Sequence, residues 1–363
     1  MSKVKAVYIH IPFCSRICTY CDFCKMYYKK EWVDKYLLSL ENEIAECYQN
    51  EYIETIYIGG GTPSVLSIDE LKKLFRIIRK FDISNLKEFT IECNVEDITD
   101  EKMKLFKKNN VNRLSIGVET FNEKNLSFLN RRIVNIKDKI LVAKKYFENI
   151  NIDLIYGLKG STLKDVKKDL KHLLELDVPH VSVYGLIKEN NTILSAINYE
   201  ELDDNTFNEM YYSINDFLKK HGYIHYEVSN YAKEGYVSLH NLVYWNNQNY
   251  YGFGLSASGY IDNIRYTNTR SLKHYLEGKY RFKEEKLSLK EEMENEMILG
   301  LRKMGGVSNK VFYEKFGKNV NEVFNVSKLV YENGIYSIKE KDIFIENSIL
   351  VDFILDKWYN FCR

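Results

Sequence analysis

The chain has 363 residues, 28% of them charged and 45% apolar, an ordinary composition for a soluble globular protein. Its 52 Lys and Arg stand against 51 Asp and Glu, and a net charge of +1 offers no strong field for nucleic acid or an anionic membrane. No apolar run approaches the roughly 20 residues of a membrane-spanning helix, and MSKVKAVYIHIPFC does not read as a signal peptide. A cytoplasmic setting with reduced thiols is expected, with no nucleic-acid partner.

In chain order, VKAVYIHI (4–11) is the first β-rich run, followed by a helical pattern near 31–49. IETIYIG (53–59) precedes a helix near 67–80, and EFTIEC (88–93) precedes one near 100–109. NRLSIGV (112–118), INIDLIYG (150–157) and HVSVYGL (180–186) complete the series, with helices near 136–147 and 161–176 between them. Ser67, Thr99 and Ser161 or Thr162 are N-cap candidates. Strands separated by single helices imply a parallel sheet, either an open doubly wound sheet or a partial barrel. Its chemistry belongs in the loops at the carboxyl ends of the strands. The cysteine loop, GGGTP (59–63), Glu92–Asn94, Glu119 and Asp153 all fall near those ends, on one rim.

Residues 1–190 make up this unit. From 191 to 285 the regularity fades into an extension rich in Asn, Tyr and Gly that carries HNLVYW (240–245). Residues 286–363 read as a smaller α+β domain. A helical section begins at 291–306, and helices near 309–316 and 319–332, a β pair at 335–346 and a final helix at 349–361 follow. That shape is winged-helix-like, and the missing basic surplus speaks against nucleic acid.

Four of the seven cysteines lie in CSRICTYCDFC, from Cys14 to Cys24. A disulfide staple conflicts with a reducing compartment. Structural zinc uses two Cys-x2-Cys knuckles, or one pair with two histidines, whereas Cys47, Cys93 and Cys362 stand alone. Cys14, Cys18 and Cys21, spaced Cys-x3-Cys-x2-Cys, fit a four-iron cluster held by three thiolates. One iron is then open to a chelating cofactor. S-adenosylmethionine can supply an amino and a carboxylate group to it, and an electron from the cluster cleaves its sulfonium.

Cys-x3-Cys-x2-Cys with Tyr20 before the third cysteine resembles the signature of the radical S-adenosylmethionine superfamily. YIHIPFC (8–14), GGGTPS (59–64), NRLSIGVETFNEKNLSFLNR (112–131), NIDLIYGLKGST (151–162) and HNLVYWNNQNYYGFG (240–254) follow in order. Together they resemble the oxygen-independent coproporphyrinogen III oxidase family along essentially the whole chain, and its heme-chaperone branch in particular. Only thirteen residues precede Cys14, where the oxidases carry a longer extension, and HNLVYW matches the branch's His-Asn-x-x-Tyr-Trp motif. EMILGLR (296–302) also looks like that branch.

The resemblance implies a partial (βα)6 TIM-like barrel with a [4Fe-4S] cluster on Cys14, Cys18 and Cys21. Carried over by motif, the S-adenosylmethionine contacts are Tyr8, Tyr20, Gly60, Gly61, Thr62, Glu92, Glu119, Arg131 and Asp153. Glu92 would accept a hydrogen bond from the cofactor's cationic amine, Arg131 would pair with its carboxylate, and Asp153 would accept ribose hydroxyls. Heme is implied as cargo, held by His240, Asn241, Tyr244 and Trp245, with the His240 imidazole on the iron. A packed histidine–aromatic cluster is the other reading of those residues. Delivery to an acceptor hemoprotein such as a respiratory one, an electron donor, homodimerisation and peripheral membrane association complete what the resemblance implies.

The sequence departs from the family in three places. Glu119 stands where Gln is usual, Cys93-Asn94-Val95 where Ala-Asn-Pro is common, and Lys159 where the family has Pro. Cys24 falls one residue beyond the oxidases' fourth cysteine and reads as a spare thiol. Two other activities share the core: oxidative decarboxylation of coproporphyrinogen III, and class C radical methyl transfer.

Overall fold

In the computed structural model, which describes residues 4–197 and 199–354, strand alternation decides what faces what. The six expected strands form as β1 (Ala6–Ile11), β2 (Thr55–Gly60), β3 (Glu88–Asn94), β4 (Arg113–Glu119), β5 (Asn149–Tyr156) and β6 (His180–Gly185). Ile56 and Ile58, Phe89 and Ile91, and Leu114 and Ile116 pack outward in the apolar core, all fully buried. Leu74, Phe75, Met103 and Phe106 meet them from the connecting helices. The alternate residues are polar: Thr55 and Tyr57, Glu88, Thr90 and Glu92, Arg113 and Ser115, Asn151 and Asp153, His180 and Ser182. They bond to one another across the strands, as in Tyr57–Glu92, Arg113–Thr90, Ser115–Asp153 and His180–Asn151, and so line a polar lumen.

The helices start where side chains can cap them. Ser67 and Glu70 form a reciprocal capping box before Ile68–Ile78, and Thr162 and Asp165 form another before Leu163–Leu176. Thr99 caps Asp100–Lys108 by accepting from Lys102 N. These elements follow the sequence reading to within a few residues.

The stretch expected as an irregular extension, 191–285, is regular and belongs to the same sheet. It holds a long helix, Asp204–Lys220, and the strands β7 (Ile224–Glu227), β8 (Asn230–Ala232), β9 (Tyr250–Phe253), β10 (Ser258–Ile261), β11 (Ile264–Asn268) and β12 (Arg281–Lys286). The sheet order is β12-β11-β10-β9-β1-β2-β3-β4-β5-β6-β8-β7. From β9 through β6 the neighbours are parallel, and both flanks are antiparallel. The edge strands β12 and β7 are not paired with each other, so the barrel stays partial.

A second core, around Met297, Phe312, Val320 and Tyr336, belongs to the smaller C-terminal α+β domain. Helices Leu289–Gly300 and Asn309–Phe316 pack on a three-stranded sheet of Val307–Ser308, Ile335–Ile338 and Leu329–Glu332. The helix expected at 319–332 is limited to Val320–Val323, and 329–332 is a strand instead. The cause is Asn333-Gly334, both left-handed at φ 51° and 81°, which closes a tight hairpin onto 335–338. The expected pair at 335–346 therefore ends early, and 340–345 is a 3₁₀ turn. Of the final helix expected at 349–361, the described part is Glu346–Leu350 followed by a 3₁₀ turn, and 355–363 lie outside the described residues. Among the described residues no helix is long and apolar enough to cross a membrane.

Candidate cofactor cavity

At the carboxyl ends of β1–β6 lies a cavity of about 450 Å³ whose wall includes Cys14, Cys18 and Cys21. Tyr20, Gly60, Gly61, Thr62, Glu92, Glu119, Arg131 and Asp153 line it too, so the structure brings eight of the nine expected cofactor contacts to one space. Tyr8 stands behind the wall, its ring stacked 6.2 Å from that of Tyr57. Its hydroxyl lies 3.0 Å from His10 Nδ1. His10 Nε2 donates to Cys24 O at 2.7 Å, and this tethers the far end of the cysteine loop to β1. Cys24 is not on the cavity wall.

The cysteine loop is fixed by close backbone approach. Gly61 lies where a Cβ would meet the Pro12 carbonyl carbon at 2.7 Å, so only glycine lets the two loops pass. Thr62 Oγ1 donates to Cys14 Sγ at 3.6 Å, and Arg131 to Cys18 Sγ at 3.6 Å. Burial pushes the Cys14 thiol up to about 12 and the Cys21 thiol to about 11, and a bound cationic cluster would favour their thiolate forms. Among the described residues no three His, Cys, Asp or Glu converge tightly enough for a single ion. Three thiols spread around one cavity suit a cluster, in which each binds a different iron.

Three carboxylates and one guanidinium share the cavity wall with the thiols. Glu92 accepts from the Tyr57 hydroxyl at 2.8 Å and from Gly60 N at 3.0 Å. Burial pushes its carboxyl up to about 7, and Asp153 and Glu119 add to the rise. Asp153 accepts from Asn151 Nδ2 at 2.8 Å and from Ser115 at 3.3 Å, and burial raises it as well. Glu119 lies 3.5 Å from Arg131 and is raised to about 7 by burial against the pull of that guanidinium. Its backbone is left-handed at φ 68°, at a register shift in β4, which costs about 1–3 kcal/mol and turns the side chain into the cavity. Arg131 is held by Asn94 Oδ1 at 2.8 Å and by the Gly117 carbonyl.

The donor set fits both groups the sequence implied. Three thiols can hold the cluster, and a cavity with surplus negative charge suits a sulfonium cofactor that also bears an ammonium group. Bound there, the cofactor would supply a reactive carbon centre after reductive cleavage. The residues that would hold and orient it there are Glu92 at the amine and Asp153 at the ribose, with Arg131 beside the thiols. Sequence reasoning missed Tyr57 and His10, and placed Asn94 on the rim without giving it the role of holding Arg131. The period-2 rule from Thr55 and Gly59 was the signal that could have found Tyr57.

HNLVYW lies at the opposite end of the lumen. It forms the helix Leu239–Trp245, capped by Ser238. Glu88, the first residue of β3, accepts from Ser238 Oγ at 3.3 Å, Leu239 N at 2.7 Å and His240 N at 3.2 Å. His240 is 0% exposed, with Nδ1 2.9 Å from Thr55 Oγ1 and Nε2 2.8 Å from the Tyr244 hydroxyl. Its ring packs on that of Tyr57 at 5.4 Å. Asn241, Tyr244 and Trp245 are half-buried, and the Arg302 guanidinium lies 5.8 Å from the Trp245 ring. The observed arrangement is a packed histidine–aromatic cluster that plugs the lumen from below.

A partial barrel with three thiols and this cavity on its carboxyl rim defines a radical S-adenosylmethionine protein. The superfamily's model matches residues 8–173, and that of the HemN C-terminal domain matches 287–341. "Heme chaperone HemW" of Lactococcus lactis is 41% identical over 98% of this chain and 99% of its own, and that of Bacillus subtilis is 40% identical over 94% and 95%. Among solved structures, coproporphyrinogen III oxidase (HemN) of Escherichia coli superposes with a TM-score of 0.86 at 21% identity, over 97% of this chain and 90% of that one. The last likeness concerns the fold. The chain belongs to the HemW family of the radical S-adenosylmethionine superfamily.

Proposed function

We propose that the protein is a heme chaperone that binds heme and hands it to acceptor hemoproteins, a respiratory one among them. The observation that carries this reading is end-to-end likeness to proteins named heme chaperone HemW, together with an intact three-thiol cavity. In this reading His240, Asn241, Tyr244 and Trp245 take the heme. His240 Nε2 would exchange its hydrogen bond with Tyr244 for the iron, and this requires the helix to loosen from the lumen. An electron donor, a homodimer and peripheral contact of a cytoplasmic protein with a membrane belong to the same proposal.

The test is an anaerobic hemin titration of the cluster-reconstituted protein, followed in the Soret region, then mixing with an apo-hemoprotein. Saturation near one heme per chain and transfer to the acceptor are expected. Absence of specific binding would remove the reading. Oxidative decarboxylation shares the fold, and anaerobic formation of protoporphyrinogen IX from coproporphyrinogen III would favour it instead.

A further inference from the structure

Two strands span the lumen from plug to cavity. On β2 the inward residues are Thr55, Tyr57 and Gly59, and on β3 they are Glu88, Thr90 and Glu92. Four residues of strand separate the two ends of each, roughly 13 Å. At the lower end Thr55 holds the His240 ring and Glu88 holds the backbone of its helix. At the upper end Gly59 has no room for a Cβ, which would come within 2.7 Å of the Glu92 carboxyl group. Tyr57 connects the two.

The Tyr57 ring is stacked against Tyr8 at 6.2 Å and packed against His240 at 5.4 Å, and its hydroxyl donates to Glu92 Oε1 at 2.8 Å. The other Glu92 oxygen accepts from Gly60 N at 3.0 Å. Glu92 is thus aimed by two donors, and one of them is aimed by the imidazole beneath it. Removing that imidazole opens a void under Tyr57, and in a close-packed interior the ring shifts into it.

We infer that His240 is a positioning residue for the S-adenosylmethionine cavity, acting through Tyr57 on Glu92, so that the plug and the cavity are energetically coupled. Where heme is bound by His240, a clause that rests on the chaperone reading, the ring leaves Tyr57 to reach the iron. Cofactor and heme then oppose each other by one shared factor, because coupling between two binding equilibria is reciprocal.

The experiment is a double-mutant cycle read as the dissociation constant of S-adenosylmethionine, by equilibrium dialysis on cluster-reconstituted protein of matched iron content. Tyr57→Phe keeps the ring and removes the hydroxyl, and about tenfold weaker binding is expected. His240→Ala weakens binding about fivefold in the native background and has no further effect in the Tyr57→Phe background. Thr55→Val, which keeps the imidazole and removes its Nδ1 partner, decides the matter if His240→Ala does not fold, with about threefold weakening expected. Additive losses in the double mutant, or single variants of His240 and Thr55 within experimental error of the native protein, would overturn the coupling. Hemin titrations with and without saturating S-adenosylmethionine form the second arm. Loss of all hemin binding with an intact cycle strikes the chaperone reading alone, whereas hemin binding with a null cycle strikes this inference alone.

Discussion

The two ends of the lumen are built from the same strands and treat their polar groups in opposite ways. At the carboxyl end, buried Glu119 and half-buried Glu92 and Asp153 stand around an open cavity and their carboxyls are raised. At the amino end Glu88 accepts three hydrogen bonds from the 238–240 segment, and both His240 nitrogens have partners. The open end carries unspent charge for a ligand, and the closed end spends its charge on holding a helix. Burial alone therefore does not tell a binding group from a structural one; what the group touches does.

The comparison can be broken most severely at the thiols. Cys18→Ala removes one of the three proposed cluster ligands, and reconstituted iron per chain should fall to background, with loss of the visible charge-transfer absorbance. The closed end should answer a different change. Glu88→Ala leaves donors of the 238–240 segment without their acceptor, and chemical denaturation should report a loss of about 3 kcal/mol. Glu92→Ala leaves the fold in place and weakens S-adenosylmethionine about 30-fold in the same dialysis assay, the size expected of a charge-assisted hydrogen bond.

Two finer tests use the raised carboxyls. Burial raises the Glu92 carboxyl to about 7, so below that pH its free form takes up a proton and loses the charge proposed to attract the ammonium group. S-adenosylmethionine binding should therefore weaken as pH falls below 7, approaching tenfold per unit where only the free form is protonated. The smallest effect is expected at the family departure. Glu119→Gln removes a carboxyl but keeps a partner for Arg131, and affinity at pH 8 should change by no more than about threefold. Its signature should be a simpler pH profile.

How much the sequence could tell follows the same division. β1–β6 were legible because each run is long, apolar on one side and separated by a capped helix, and the cavity wall was legible because motifs mark it. The strands beyond residue 220 were hidden because they are only three to six residues long. Asp262-Asn263, left-handed at φ 46° and 60°, joins β10 to β11 in a two-residue hairpin. Asn333-Gly334 does the same farther on, and there the signal was plain and outweighed by a helical periodicity. The position of HNLVYW was out of reach for another reason. A helix of seven residues gains its place from tertiary partners, and Thr55 and Glu88 lie 185 and 151 residues away in sequence.

An unclosed sheet has a cost that the outermost strand manages. β12 presents a free row of peptide groups, a template on which another chain could nucleate a fibre. Its sequence, Arg-Phe-Lys-Glu-Glu-Lys, carries five charged side chains in six, with Lys283 and Glu285 already 2.7 Å apart. An incoming strand must strip water from the exposed Lys283, Glu284 and Lys286. The charges act as gatekeepers against aggregation, and Phe282, 77% exposed among them, marks where self-adhesion would begin in concentrated solution.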